Sequence, residues 1–261
     1  MQPVKLAKTA LKEKFPALWL EWHFLRRPRS AEIELRYLRK LIPEDAVTVD
    51  VGANCGLYTR ELARYSRHVH AFEPAWRMAN LLRRTSAANV EIHELAASDR
   101  DGIAVLSSPL SGDEAVHSLA SIEQRHGSDA SVKEMVQTAR LDCVVKDDVA
   151  LIKIDVEGHE LRALIGAVGL IERCSPIFLV EAEERHAPRA TASLFEFFAE
   201  RGYHGYFIMN GAVWPVREFD VATMQDTGAL LPDGGRKPGR CYINNFFFFP
   251  PGSDGSAALG A

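Results

Sequence analysis

Cysteine is scarce in this chain. Only Cys55, Cys143, Cys174 and Cys241 occur, and no two stand in a C-x-x-C spacing. That distribution supports neither a zinc finger nor a disulfide framework, and a reducing cytoplasm is the expected compartment. Long apolar runs are missing as well. No stretch approaches the ~20 apolar residues needed to span a bilayer. The first residues, Met1 to Pro16, lack the apolar core and small-residue cleavage site of a signal peptide. A basic excess is also absent. Lys and Arg number 31 against 35 Asp and Glu, a net charge of −4, so no electrostatic footprint for nucleic acid is present. There are no internal repeats. What remains is an ordinary globular balance, 47% hydrophobic and 25% charged over 261 residues, enough for one α/β domain.

Residues 1–45 read as an N-terminal helical extension. Trp19 and Trp22 are followed by Arg26, Arg27 and Arg29, a pattern that suits a helix capping the sheet edge, a homodimer contact or a peripheral membrane surface. Ser30 opens a second amphipathic helix with Ile33, Tyr37, Leu38 and Leu41 on one face. From residue 46 strands and helices alternate. Strands are expected at 47–51, 69–72, 90–95, 149–154 and 177–180, with helices at 58–65, 76–87, 161–171 and 191–201. Alternation of this kind implies a mostly parallel sheet covered on both faces. Residues 103–106 read as a short extra strand, 107–131 as a long polar loop suited to a lid, and 132–141 as a returning strand. Asn210-Gly211 marks a hairpin turn within 206–215. A final apolar strand lies within 241–249, closing a domain at 46–250, and the Gly/Ser/Ala-rich tail 251–261 is expected to be flexible.

The run from Thr48 to Tyr58, TVDVGANCGLY, is a buried strand ending in an acid and a glycine-rich turn. Glu73, twenty-three residues after Asp50, ends the second strand. An acid at the tip of the second strand of a β-α-β unit accepts hydrogen bonds from ribose hydroxyls. The turn does not suit a pyrophosphate. It reads Asp50-x-Gly52-x-Asn54-x-Gly56 in place of G-x-G-x-x-G, and the acid would repel phosphate while suiting an ammonium group. A ribose at one end and a zwitterionic amino acid at the other describe S-adenosylmethionine. Gly52 would let the backbone pass close to the ligand, and Gly56 would let the next helix pack tightly. Ala53, Tyr58, Ala97 and Ser98 complete the expected cofactor-binding set.

Two further strand ends carry acids, at Asp155-Val-Glu157-Gly-His159-Glu160 and at Glu181-Ala-Glu183. Ligands in open α/β sheets bind at the carboxyl ends of strands, so Asp50, Glu73, Asp155 and Glu181 are expected to face one crevice. The set DVGANCG at 50–56, AFEP at 71–74, Leu141-Asp142, IKIDVEGHE at 152–160 and VEAE at 180–183 resembles the FkbM-like family of S-adenosylmethionine-dependent methyltransferases. The likeness covers roughly 46–249, and 152–160 is its most distinctive part. It implies a Rossmann-like class I methyltransferase fold, with a mostly parallel seven-stranded sheet, an antiparallel C-terminal strand and helices on both faces. It also implies O-methylation, often of a sugar or polyketide-type hydroxyl. Asp50, Gly52, Asn54, Gly56 and Glu73 match its cofactor positions.

In-line attack by an oxygen needs positioning, water exclusion and a base. His159 is the first candidate base, because an ordinary imidazole titrates near neutrality. Asp155 would close the cofactor pocket or orient the acceptor, and Glu183 joins these two as a catalytic candidate. Glu157, Glu181 and, from the polar loop, His117 are candidates for acceptor binding. Asp155, Glu181 and Glu183 could instead hold Mg²⁺ through oxygen ligands, and no metal is assigned. Two rivals remain. A nucleotide-dependent oxidoreductase conflicts with the missing third glycine. A non-catalytic or partner-dependent module of a biosynthetic assembly conflicts with the intact cofactor positions. Nucleic-acid methylation has no Asn-Pro-Pro-Tyr-like motif to support it.

Overall fold

The computed structural model describes residues 20, 32–111, 114–115, 120–122, 131–231 and 235–260. Trp19, Trp22, the arginines at 26–29 and His117 lie outside them. Helix α1 (Leu35–Leu41) buries Leu38 and Leu41 and packs Ile33 and Tyr37 beside them, the face that the spacing predicts.

Strand β1 (Val47–Val51) is buried at all five positions, as a central strand covered on both faces must be. It is flanked in parallel by β2 (His68–Phe72) and β8 (Val149–Ile154), with β3 (Val90–His93) beyond β2 and β9 (Ile177–Glu181) beyond β8. The apolar run Asn245–Phe249 forms β12, antiparallel to β9, and Phe246 to Phe249 are all buried. Next come β10 (His204–Met209) and β11 (Ala212–Pro215), joined through Asn210 and Gly211, whose φ values of 53° and 78° fit a type I′ hairpin. The order is β3-β2-β1-β8-β9-β12-β10-β11. The sheet therefore has eight strands where seven were expected, because the second arm of the hairpin pairs at the edge.

Helices α2 (Leu57–Tyr65) and α1 cover one face, with Leu62, Leu151, Leu179 and Phe247 between. On the other face α5 (Glu160–Ile165), α6 (Val168–Cys174) and α7 (Ala190–Ala199) pack on Val49, Ile152, Ile154 and Val180. The single helix expected at 161–171 is two helices. Gly166 separates them, and a Cβ there would lie 1.9 Å from the carbonyl oxygen of Ser98. Helix α3 (Trp76–Thr85) follows β2, and the one-turn α4 (Leu141–Val144) precedes β8.

The strands expected at 103–106 and 132–141 are the two sides of a β-arm that extends into the segment read as a polar loop. β5 (Gly102–Ser111) pairs antiparallel with β7 (Ser131–Ala139), and β4 (Ala96–Ala97) and β6 (Glu114–Ala115) complete a second sheet in the order β4-β7-β5-β6. The tail is not simply flexible either. Residues Gly255–Leu259 form a helix, α8 counted after α7, whose Leu259 is buried beside Leu38 and Leu41.

Register sets the site. Val51 pairs with Phe72 and with Ile154, and Ile154 pairs with Val180. Residues 52, 73 and 155 therefore leave the sheet at one edge, where Glu181 ends β9.

Candidate active site

At that edge lies a cleft with about 590 Å³ of space, open solvent included. Gly52, Asn54, Glu73, Ala97, Asp155, Glu157 and His159 line it, all of them expected. Phe72, Leu95, Leu106 and Ile122 form an apolar wall that sequence reading missed. Leu106 comes from the β-arm. Ser121 is fastened to the same arm by paired backbone bonds with Ser107, at 2.9 and 3.1 Å, and its hydroxyl donates to the Glu157 carbonyl at 2.7 Å. Part of the expected lid therefore does close on the cleft.

Gly52 sits at φ 83°, and a Cβ there would lie 1.8 Å from the Asp155 carbonyl oxygen. The close approach it permits is to the backbone after β8. Asn54 is also left-handed, at φ 49°, which asparagine tolerates. Its N–H donates to Glu73 Oε2 at 2.8 Å, while Ala75 N–H donates to Oε1 at 2.8 Å. Burial pushes the Glu73 carboxyl up to about 7 against those two bonds. Each carboxylate oxygen has a second lone pair, so a vicinal diol still fits this donor set.

Asp50 is not brought to the cleft. Side chains alternate along a strand, and Val51 takes the cleft side. Asp50 turns to the α2 face, where its carboxylate accepts from Thr59 Oγ1 at 2.5 Å. Burial raises it to about 6, with Thr59 and Lys153 opposing. Tyr58 lies on that face too, donating to Glu32 Oε2 at 3.0 Å with Lys153 Nζ 4.8 Å from its ring centroid. Ala53 and Gly56 are structural. Ala53 N–H donates to the Phe72 carbonyl at 3.0 Å, and Gly56 has no room for a Cβ against Leu82.

His159 is buried at the start of α5, with Nε2 3.0 Å from Ser98 Oγ. Ser98 lies behind the cleft wall and donates to Asp99 Oδ1, which places it as acceptor toward His159 and puts the ring proton on Nε2. Asp99 in turn pairs with Arg162 at 2.9 Å. Asp155 is half-buried. Burial raises its carboxyl to about 7, Lys153 opposes, and Glu157 and Glu160 add to the rise. Lys153 was missed, although a lysine within the apolar strand Leu151-Ile-Lys-Ile154 is a visible signal. It donates to Asn245 Oδ1 at 3.0 Å. Burial disfavours its charge, but Asp155, Glu181, Glu32 and Asp50 offset that and hold it above its usual value.

The remaining acids separate by environment. Glu160, the first residue of α5, ties down the turn before it, accepting from Gly158 N–H at 2.9 Å. Glu157 adopts φ 54° and pairs with His186 Nδ1 at 2.7 Å. Glu181 lies outside the cleft wall and accepts from Asn244 at 2.7 Å; burial and then Asp155 raise its carboxyl well above the ordinary range. Glu183 is not among the residues that line the cleft. Burial opposes its charge, yet bonds from His186, Arg185 and Tyr242 hold it well below the usual range. Those partners also occupy the oxygens that the Mg²⁺ reading required, and Asp155, Glu181 and Glu183 do not converge as a metal-ligating group among the described residues.

The sheet order and the carboxyl-edge cleft are those of a class I methyltransferase fold. Several solved structures superpose on the chain. An FkbM methyltransferase from Methylobacillus flagellatus KT is 17% identical over 83% of this chain and 51% of that one, with a TM-score of 0.49. The chain thus spans about half the length of that protein. A precorrin-6y C5,15-methyltransferase from Geobacter metallireducens GS-15 is 12% identical over 84% and 88%, with a TM-score of 0.45. An rRNA methylase from Streptococcus thermophilus is 10% identical over 86% and 98%, with a TM-score of 0.44. No curated protein matches the chain. The model of the methyltransferase FkbM domain matches residues 50–204, more than half of the sequence, and the chain belongs to that family.

Proposed function

We propose that the chain transfers the methyl group of S-adenosylmethionine to a hydroxyl oxygen of a sugar, glycan or other small molecule. The observation that carries this reading is the pairing of two carboxylates on one cleft. Glu73 is oriented by two backbone N–H groups after β2, and Asp155 stands at the tip of β8, on the other side of β1, with its carboxyl raised to about 7.

When bound, S-adenosylmethionine supplies an electrophilic methyl group on a sulfonium. Glu73 would hold its ribose hydroxyls, and the Gly52–Asn54 turn would line the same part of the cleft. Phe72, Leu95, Leu106 and Ile122 exclude water, which strengthens every polar contact inside. Asp155 accepts the hydroxyl proton, because a base titrating near the working pH combines availability with driving force. It takes the role first expected of His159. The chain Arg162, Asp99, Ser98 fixes the His159 ring, which suits it to orienting the acceptor.

Calorimetric titration with S-adenosylhomocysteine, with NADH as control, tests the cofactor. Binding of the first alone supports the reading, and binding of neither returns it to a non-catalytic module. Mass detection of a 2-hydroxy or polyol acceptor gaining one methyl tests the oxygen chemistry.

A further inference from the structure

A second cluster of chemistry-bearing side chains lies away from this edge. His68 and His70 are two apart on β2, so they project from the same face, and Glu91 and His93 repeat that spacing on β3. The two strands are parallel, and His70 is in register with Glu91. One atom each from His68, His70 and Glu91 lie within 4.8 Å of one another. The individual separations are tighter. His68 Nε2 is 3.4 Å and His70 Nδ1 is 3.5 Å from Glu91 Oε2, and His93 Nε2 is 3.1 Å from His70 Nδ1.

A tetrahedral ion with metal–nitrogen bonds of about 2.0–2.1 Å sets its ligands about 3.3 Å apart. The two histidine–Glu91 separations and the His70–His93 separation already stand near that spacing. We infer that His68, His70 and Glu91, with His93 beside His70, form a binding site for a divalent first-row cation of the Zn²⁺ type. Imidazole nitrogens with one carboxylate suit that class better than Mg²⁺ or Ca²⁺, which take oxygen ligands. A separate observation supports it. The other nitrogen of His70, Nε2, is 3.1 Å from Asp147 Oδ2. A carboxylate on the far nitrogen of an imidazole is the arrangement that orients a metal-binding histidine and fixes its tautomer. The ion would be structural. It would join β2, β3 and the segment before β8, and Phe72, stacked on His93 at 4.5 Å, separates it from the cleft.

The test is equilibrium dialysis of chelator-treated protein against ZnCl₂, with metal analysis and melting curves, and Co²⁺ as a spectroscopic probe. One Zn²⁺ per chain, a raised melting temperature and the intense visible absorption of four-coordinate Co²⁺ are expected. His68→Ala and Glu91→Ala, both at solvent-reached positions, should each weaken Zn²⁺ binding by more than roughly tenfold, and Asp147→Asn by about 10–100-fold through His70 orientation. All three should still bind S-adenosylhomocysteine like the wild type, which shows that they are folded. Stoichiometry well below one, six-coordinate Co²⁺, or undiminished binding in His68→Ala and Glu91→Ala would overturn the site.

Discussion

The backbone of Asp155 crosses Gly52 so closely that a single added methyl at residue 52 would sit 1.8 Å from the Asp155 carbonyl oxygen. The two loops that build the cleft are therefore held together by the lack of a side chain. Gly52→Ala combines that clash with a φ of 83°, and should destabilise the fold by more than the ~1–3 kcal/mol of strain alone. Gly211→Ala is the control, since its φ is 78° and nothing lies within 4 Å of the added carbon. Urea unfolding of both variants checks the difference, and equal losses would show that the loop contact is soft.

Glu73→Gln keeps the volume and one acceptor oxygen but removes the carboxylate. Affinity for S-adenosylhomocysteine should fall by at least about tenfold, the size of one lost charge-assisted bond. The melting temperature should stay within a few degrees of wild type. Unchanged affinity in calorimetry would remove Glu73 from the ribose site.

Asp155→Asn should lower kcat by about 10²–10⁴-fold while leaving cofactor affinity near wild type. In the wild type the carboxylate form accumulates as pH rises through about 7, so kcat should climb over that range and then level. Steady-state assays with an identified acceptor decide this. A flat profile in the wild type, or normal turnover in the variant, would move the base elsewhere, with His159→Ala as the next variant to assay.

Glu183→Gln tests the opposite assignment. Its buried carboxylate pairs with Arg185, which reaches solvent, and faces His186, so the variant should lose about 1–3 kcal/mol, the cost of weakening hydrogen bonds to a buried group. The folded-state carboxyl is held low, so this stabilisation is present above the usual carboxylate range and lost as the solution is acidified. Denaturation at pH 7 and at pH 3 should therefore show a large difference that shrinks. A variant of full stability with impaired chemistry would restore Glu183 to the catalytic set.

Glu34 carries a charge at a cost. It is 4% exposed, its Oε2 has no hydrogen-bond partner among the described residues, and burial raises it to about 7. A raised carboxyl binds its proton more tightly in the folded state, so stability falls as pH climbs from about 4.5 to 7. Glu34→Gln should match wild type near pH 5 and gain about 1–3 kcal/mol at pH 8. Urea midpoints at the two values measure it, and no gain at the higher pH would mean that the group is solvated.

The alternation of apolar strands and amphipathic helices made the parallel sheet legible, and the acids at strand ends located its working edge. What the pattern did not resolve was parity. Asp50 is the last but one residue of β1 and points to α2, whereas Glu73 lies one residue past β2 and leaves the sheet. Both look like tip acids in one dimension. Glu181 and Glu183 follow the same strand, yet the partners that disarm Glu183 come from Arg185, His186 and, 59 residues on, Tyr242. Both sides of the β-arm were legible as strands at 103–106 and 132–141, but not their pairing, which joins Gly102 to Thr138 across the sequence. Non-local register of that kind leaves little local trace.

The short helix at Gly255–Leu259 meets Leu35–Leu41 at the end of the sheet where β1 begins, and a Cβ at Gly260 would stand 3.2 Å from Lys40 Nζ. β12 runs antiparallel to its neighbour β9, carrying the chain from the ligand edge to the far one. A fluorophore attached at residue 260 would accordingly report separation of the terminal elements and stay silent to occupancy of the cleft. That makes unfolding and ligand binding independently observable in a single sample.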